Sequence, residues 1–412
     1  MTFSWSEELE ALGWRALVVV ATGSHDPYLA PFVGSGRVGA SLFLATDDGE
    51  ARLGYLSPME REEAALSGLP LLSPEVLDVG RHAAASDSQG ELWARLLSTA
   101  LESAGIEPPA RIGITGLFPA GAVREICERL EVAGWTVRAG DSAVERLRKR
   151  KRDDETAEIT RVAGSVAQAF RTVARRLVGA RPERNGAAGQ SLFDVEGMLT
   201  VGRLRREIAG VFAAEGLEQP LRNIVAPGGD GAVPHNVGND ASPIRTGETL
   251  IVDLFPKGRL FADLTRTFCL DPVPADVVRA SSDVAAALVL AESSARPGVA
   301  AWTLQQQVCR LLGERGWPTP ISHPGTTRGY VHGLGHGVGY DLHELPIFAE
   351  EAAESDGVLE DGDILTLEPG LYDPEAGWAV RLEDLYRVTP SGVARLVDLP
   401  RELDPRAVLD SG

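Results

Sequence analysis

The chain has 412 residues, too many for one ordinary core and enough for two domains with a cleft between secondary-structure layers. Hydrophobic residues make up 44% and charged residues 24%, as in globular proteins, and a net charge of −19 argues against a surface built to neutralise phosphates, so neither nucleic acid nor an anionic membrane is an expected partner. Three cysteines, Cys127, Cys269 and Cys309, are scattered without CxxC spacing, which fits a reducing compartment and excludes a thiolate metal site.

The chain opens on MTFSWSEELEALGW, with acids where a signal peptide needs a basic start. ALVVVAT (16–22) and SLFLAT (41–46) read as strands, and Asp48-Gly49 followed by ARLGY predicts a hairpin. ELWARLLSTALESAG (91–105) has helical spacing and ends on glycine; RIGITGLF, a helix through AVREICERLEVAG and the strand WTVRAG follow. Residues 1–145 are thus expected to form an α/β domain, without a glycine fingerprint for a nucleotide. At 146–152 six of seven positions are Lys or Arg, but acids follow at once and Ile159, Val162, Val166, Phe170 and Val173 recur at helical spacing. A solvated linker helix over 146–180, opening a second domain of 146–412, is the expectation.

From about 185 to 220, FDVEGMLTVGRLRREIAGVFAAEG reads as helical, and the glycine-rich loop APGGDGAVPHNVGND comes after it. Two helices are predicted over about 275–295 and 303–316, then three short strand-like segments. The longest plain apolar run, Val284–Ala291, is far short of the roughly 20 residues that span a bilayer. A cytoplasmic protein is expected.

The chemistry begins in IVDLFPKGRLFADLTRTF (251–268). As a hairpin turning at Gly258, it sets Asp253 and Asp263 directly opposite one another, with Cβ atoms about 4.5–5.5 Å apart. Two like charges on an apolar sheet force at least one to protonate unless a cation lies between them, and a divalent metal is the simplest such cation. Further ligands must converge from elsewhere. ILTLEPGLY supplies Glu368; WAVRLEDLYRV supplies Glu383, with Arg381 on the same strand face; YVHGLGHGVGYDLHE supplies His332, His336 and His343. Four carboxylates and a histidine make a hard, oxygen-rich set that favours Mn2+, with Co2+, Fe2+, Zn2+ or Mg2+ as alternatives. Four carboxylates carry twice the charge of one divalent ion, so two ions, about 3.5–4 Å apart, balance the site.

The ordered set Asp253, Asp263 in DLTRTF, His336 in HGLGHGVG, Glu368 in LEPG and Glu383 in RLED resembles the metal-ligand set of the pita-bread metallopeptidases, family M24. With His235, His332 and His343 added, the chain is most similar to the branch containing Xaa-Pro dipeptidase (prolidase) and Xaa-Pro aminopeptidase (aminopeptidase P). The resemblance is detailed over about 150–395 and architectural before that. It implies an α/β N-terminal domain of the creatinase/prolidase type plus an α+β pita-bread catalytic domain. It also implies that Asp253 binds one ion with both oxygens, that Asp263 and Glu383 bridge two ions, and that His336 and Glu368 complete the second ion's ligands. Glu368 would act as general base on a metal-bridging water, His332 and His343 would stabilise the tetrahedral intermediate, and His235 would line the pocket near the scissile bond. Arg381 would orient Glu383 or another acid beside it.

Taken singly, these residues have plain explanations. Arg381 and Glu383 could form a structural pair, and Asp384 is expected to face solvent across the strand; His25, His82 and His323 are read as bystanders. Non-catalytic relatives that only bind protein lose ligands, whereas the full set is present here. The expected activity is therefore hydrolysis of the bond before proline in Xaa-Pro dipeptides, with aminopeptidase P activity on longer peptides as the alternative. A dipeptidase needs a cation for the proline carboxylate, and the fork of Arg suits it. Some prolidases carry that Arg four residues after the histidine matching His343, where this chain has Ile347; Arg37 in GSGRVGA is the substitute put forward. The resemblance further implies a homodimer.

Overall fold

The structure, a computed structural model, describes residues 4–183 and 187–410, so residues 185 and 186 at the start of the expected 185–220 helix lie outside the described residues. The chain divides into two compact units, Met1–Arg148 and Lys149–Gly412.

In the first unit a six-stranded sheet contains β1 (Ala16–Ala21), β2 (Ser41–Thr46), β3 (Ala51–Tyr55), β4 (Leu71–Leu72), β5 (Arg111–Thr115) and β6 (Thr136–Ala139), in the order β4-β3-β2-β1-β5-β6. β1 pairs antiparallel with β2 and parallel with β5. Its alternate residues go to opposite faces, as the period of two requires. Ala16, Val18 and Val20 pack with Trp93, Leu96, Leu97 and Ala100 of α2 (Gln89–Ser103), while Leu17, Val19 and Ala21 join Leu9 of α1 (Trp5–Leu12) and Val144 of α4 (Asp141–Lys149). α3 (Ala120–Val132) lies on the α2 side through Ile126 and Leu130, giving three layers.

The second unit opens with α5 (Asp153–Gly179), in which Ile159, Val162, Val166, Phe170 and Val173 are all fully buried. The expected single linker helix over 146–180 is instead two helices, α4 and α5, broken at 150–152. Arg150 forms a backbone bridge with Asp363, and the Glu155 carboxylate accepts the Arg152 backbone N–H at 2.7 Å, which caps a new helix whose first turn is acidic. Nor is the basic run solvated throughout: Arg150 and Arg152 are exposed, but Lys149 and Lys151 are buried, with their ammonium groups 2.8 Å from Glu360 and 2.6 Å from Glu344.

The stretch read as one helix from Phe193 is also divided. β7 (Leu192–Asp194) and β8 (Gly197–Met198) form a hairpin before α6 (Val201–Ala214). Gly197 takes φ +110° and Asp194 accepts the Glu196 N–H at 2.8 Å, so turn chemistry outweighs the apolar pattern there.

Three small sheets then carry the chemistry. β9 (Ile224–Pro227), β10 (Thr249–Leu254) and β11 (Leu264–Cys269) form one, with β10 central. A second has the order β13-β12-β14-β17-β18, built from β12 (His336–Gly337), β13 (Glu344–Ile347), β14 (Ile364–Leu367), β17 (Asp384–Thr389) and β18 (Gly392–Arg395). The third is the pair β15 (Gly370–Asp373) and β16 (Trp378–Arg381). Helices α7 (Ala275–Ser294) and α8 (Ala301–Glu314) bury Val284, Leu288, Leu304 and Val308 with Leu365, Leu367, Val380 and Leu382, which fixes the strands that bear the site. No helix among the described residues is long and apolar enough to cross a membrane.

Candidate metal centre

The β10–β11 pairing departs from the expected register. Asp253 faces Thr265, not Asp263, and Leu254 faces Leu264. The connection is therefore centred on Arg259, with Asp263 just ahead of β11. A shift of two residues preserves the face, so Asp263 remains a diagonal neighbour of Asp253, within reach of the same ion.

The other residues arrive from separate elements. His336 stands on β12, Glu368 directly after β14, Arg381 at the end of β16 and Glu383 between β16 and β17, where an isolated bridge ties Glu383 to Thr265. β12 can thread between its neighbours because of its glycines. A Cβ on Gly335 would lie 2.1 Å from the Thr366 carbonyl oxygen, and one on Gly337 1.9 Å from that of Leu345. The HGLGHGVG segment is thus glycine-rich because backbone passes backbone at the point where His336 is presented.

His235, Asp253, Asp263, His332, His336, His343, Glu368, Arg381 and Glu383 together line one cavity of about 560 Å3. Asp263, His336 and Glu383 each offer a ligand atom, all within 4.8 Å of one another. His336 Nε2 lies 3.7 Å from Asp263 Oδ2, 3.8 Å from Glu368 Oε1 and 4.0 Å from Glu383 Oε1. His336 Nδ1 is 3.1 Å from the Gly337 carbonyl, which can only accept, so Nδ1 carries the proton and the Nε2 lone pair faces the acids. Burial, aided by the adjacent His343, pushes His336 down to about 3 and keeps it neutral.

The acids are strained without a cation. Asp253, Asp263 and Glu383 are only 8%, 4% and 2% exposed, and Asp253 Oδ1, Asp263 Oδ1 and Glu383 Oε1 have no hydrogen-bond partner among the described residues. Burial, then the charges of the neighbouring acids, raises Asp263 and Glu383 well above the usual carboxylate range, and burial pushes Glu368 up to about 8. Orphaned carboxylate oxygens beside a neutral imidazole are the donor set that divalent cations take, so these residues fit the expected group.

Arg381 does not sit on Glu383. Its Nη2 is 2.5 Å from Asp253 Oδ2, its Nη1 donates to Tyr372 at 2.9 Å and its Nε to Thr265 at 3.3 Å. Thr265 in turn donates to Glu383 Oε2 at 2.8 Å. His332 Nδ1 donates to the Gly333 carbonyl at 2.7 Å, leaving Nε2 to accept from the Tyr372 hydroxyl at 3.0 Å, so Arg381, Tyr372 and His332 form one chain. His332 Nδ1 is 3.9 Å from Glu368 Oε2. Thr265 and Tyr372 were not singled out in the sequence, although both lie at short spacing from a ligand: two residues after Asp263 and four after Glu368.

Asp384 does not face solvent as expected. It is fully buried, with Oδ1 2.5 Å from Arg266 and Oδ2 2.6 Å from Arg401, and successive residues of β17, Asp384, Leu385 and Tyr386, are buried on both faces of the strand. His343 is exposed, its ring against that of His336 at a centroid distance of 4.1 Å, and His235 is exposed too. Arg37 belongs to the first unit, where it is exposed and its backbone N–H donates to Glu63 at 2.8 Å, whereas the cavity is lined wholly by the second unit.

The family model for metallopeptidase family M24 matches residues 157–390. An Xaa-Pro dipeptidase from Pyrococcus furiosus is 31% identical over 214 residues, 50% of this chain and 57% of that relative. The chain thus matches little more than half of that relative's length. Xaa-Pro aminopeptidase 1 from Streptomyces coelicolor is 29% identical over 77% of this chain and 68% of its own length. Among solved structures, the prolidase from Pyrococcus horikoshii OT3 shares the fold, with TM-score 0.72, 22% identity and coverage of 97% of this chain and 98% of that one. The fold is that of an N-terminal α/β domain followed by a pita-bread domain.

Proposed function

Since the chain belongs to metallopeptidase family M24, we propose that it is a dinuclear-metal Xaa-Pro dipeptidase that cuts the peptide bond preceding proline. One observation carries the reading: Asp253, Asp263, His336, Glu368 and Glu383 line one cavity and leave three carboxylate oxygens without a donor among the described residues. Asp253, Asp263, His336, Glu368 and Glu383 would hold the pair of ions, with Mn2+ favoured by the oxygen-rich set. When bound, the ions would supply a water of lowered pKa and polarise the scissile carbonyl.

The chain's own residues do the rest. Glu368 takes the proton of the attacking water and passes it towards the leaving proline nitrogen, acting as general base and then acid. His343 has no side-chain hydrogen bond among the described residues and is the freer donor to the developing oxyanion. His332, with one nitrogen donating to Gly333 and the other accepting from Tyr372, has no donor left for the oxyanion and instead fixes Tyr372 in the chain that ends on Arg381. His235 lines the pocket beside the scissile bond, and Arg381 fixes Asp253 through their ion pair. The aminopeptidase relative from Streptomyces coelicolor, aligned over 77% of this chain, favours a second reading as an Xaa-Pro aminopeptidase. Comparing kcat/KM for an Xaa-Pro dipeptide and an Xaa-Pro-Xaa tripeptide on Mn2+-loaded protein separates them. The dipeptidase reading expects the dipeptide to be preferred, and preference for the tripeptide would overturn it.

A further inference from the structure

A dipeptide differs from a longer peptide in one charge: its carboxylate lies one residue beyond the scissile carbonyl, about 3.8 Å further along the chain. Two arginines line the cavity, Arg381 and Arg222. Arg381 is 3% exposed and its donors are already directed to Asp253, Tyr372, Thr265 and the Pro234 carbonyl. Arg222 is different. Its side chain is 55% exposed, and its ion pair is with Asp240, at 2.9 Å, itself 57% exposed. A pair so open to water is worth little, so a substrate carboxylate can join or replace Asp240 at small cost.

The backbone places Arg222 at a fitting range. Ile224 is the register partner of Asp253, and Arg222 precedes it by two residues, a span of at most about 7 Å. Asn223 pins this segment, its side-chain oxygen accepting the Phe255 N–H at 3.0 Å and its amide donating to Gln219 at 2.8 Å. Arg222 also lines a neighbouring cavity with Arg205 and Arg206, so it stands where the catalytic cavity ends. Arg205 is occupied there by Asp240 and by the Val237 and Gly238 carbonyls.

We propose that Arg222 grips the free C-terminal carboxylate of the substrate and so limits this cavity to dipeptides. The inference rests on the dipeptidase reading and names the residue that enforces it. The guanidinium presents a planar fork that matches a carboxylate with two parallel hydrogen bonds, which ammonium cannot do.

The test compares an Xaa-Pro dipeptide with its C-terminal amide on the Mn2+-loaded full chain, wild type and Arg222→Ala. The wild type is expected to prefer the free acid by about 10- to 100-fold in kcat/KM, the range for one charge-assisted pair, and Arg222→Ala to bring that ratio to near one. Both substrates are measured on one sample, so partial unfolding lowers both rates together and leaves the ratio alone. A wild-type ratio near one, or a ratio that Arg222→Ala leaves in place, overturns the role of Arg222 while the peptidase reading stands. A wild type inert on both substrates overturns the dipeptidase reading itself, and the inference with it.

Discussion

Glu383 is 2% exposed, and its two oxygens differ: Oε2 accepts from Thr265, whereas Oε1 accepts from none of the described residues. The hydroxyl therefore fixes the rotation of the carboxylate and aims the bare oxygen at the cluster. Replacing Thr265 with valine keeps the volume and removes the donor, and a residue that only positions a ligand typically matters 10–100-fold. Thr265→Val should weaken Mn2+ binding by about that factor with the fold intact, as metal titration and circular dichroism would show. The same residue marks where sequence reading stops. An Asp in the middle of TLIVDL, or a His among four glycines, stands out because its type conflicts with its surroundings. Thr265, Tyr372 and Arg222 are ordinary residues in ordinary places, and only register and cavity walls single them out.

At the scale of elements, strand alternation located Arg381 and Glu383 together but misjudged Asp384. Alternation says which face a residue takes, not whether that face meets water, and β17 is buried on both faces over Asp384, Leu385 and Tyr386. Arg266 and Arg401 enclose Asp384, itself fully buried. Removing one partner of such a buried pair leaves an uncompensated charge, so Asp384→Asn should cost about 3–5 kcal/mol in denaturant unfolding. The hairpin was misread by two residues for a similar reason: symmetry about a glycine does not fix the register, and the loop runs through Arg259. A two-residue shift spares the face, which is why the acid pair survives the error.

Asp363, at the entry to β14, gives this region a pH signature. Burial, opposed by Lys149 and Lys151, pushes its carboxyl up to about 7. A folded-state value above the unfolded one means that the native state holds the proton more tightly. Its contribution to stability is full below the ordinary carboxylate value of 3.8 and is lost as pH rises through about 7. Asp363→Asn should abolish this slope: wild-type minus variant stability, from urea melts, should fall steadily between about pH 4 and 7 and be flat above.

For the whole molecule, most helices are legible in the apolar period, because helices α5, α7 and α8 each bury one continuous stripe. The short strands of the catalytic unit were visible chiefly through the acids and histidines they carry. Strands of two to six residues hold too little periodicity to be read alone. The proposed dipeptidase stands or falls with its acidic cavity as a two-ion centre. The most direct test measures bound Mn2+ per chain and Xaa-Pro dipeptide hydrolysis on the same samples, from chelator-stripped to saturated. The prediction is hydrolysis absent in the stripped protein, rising with metal and complete at about two ions per chain, as the two-metal arrangement requires. Full hydrolysis in the stripped protein, or no metal retained by the intact cluster, would contradict it.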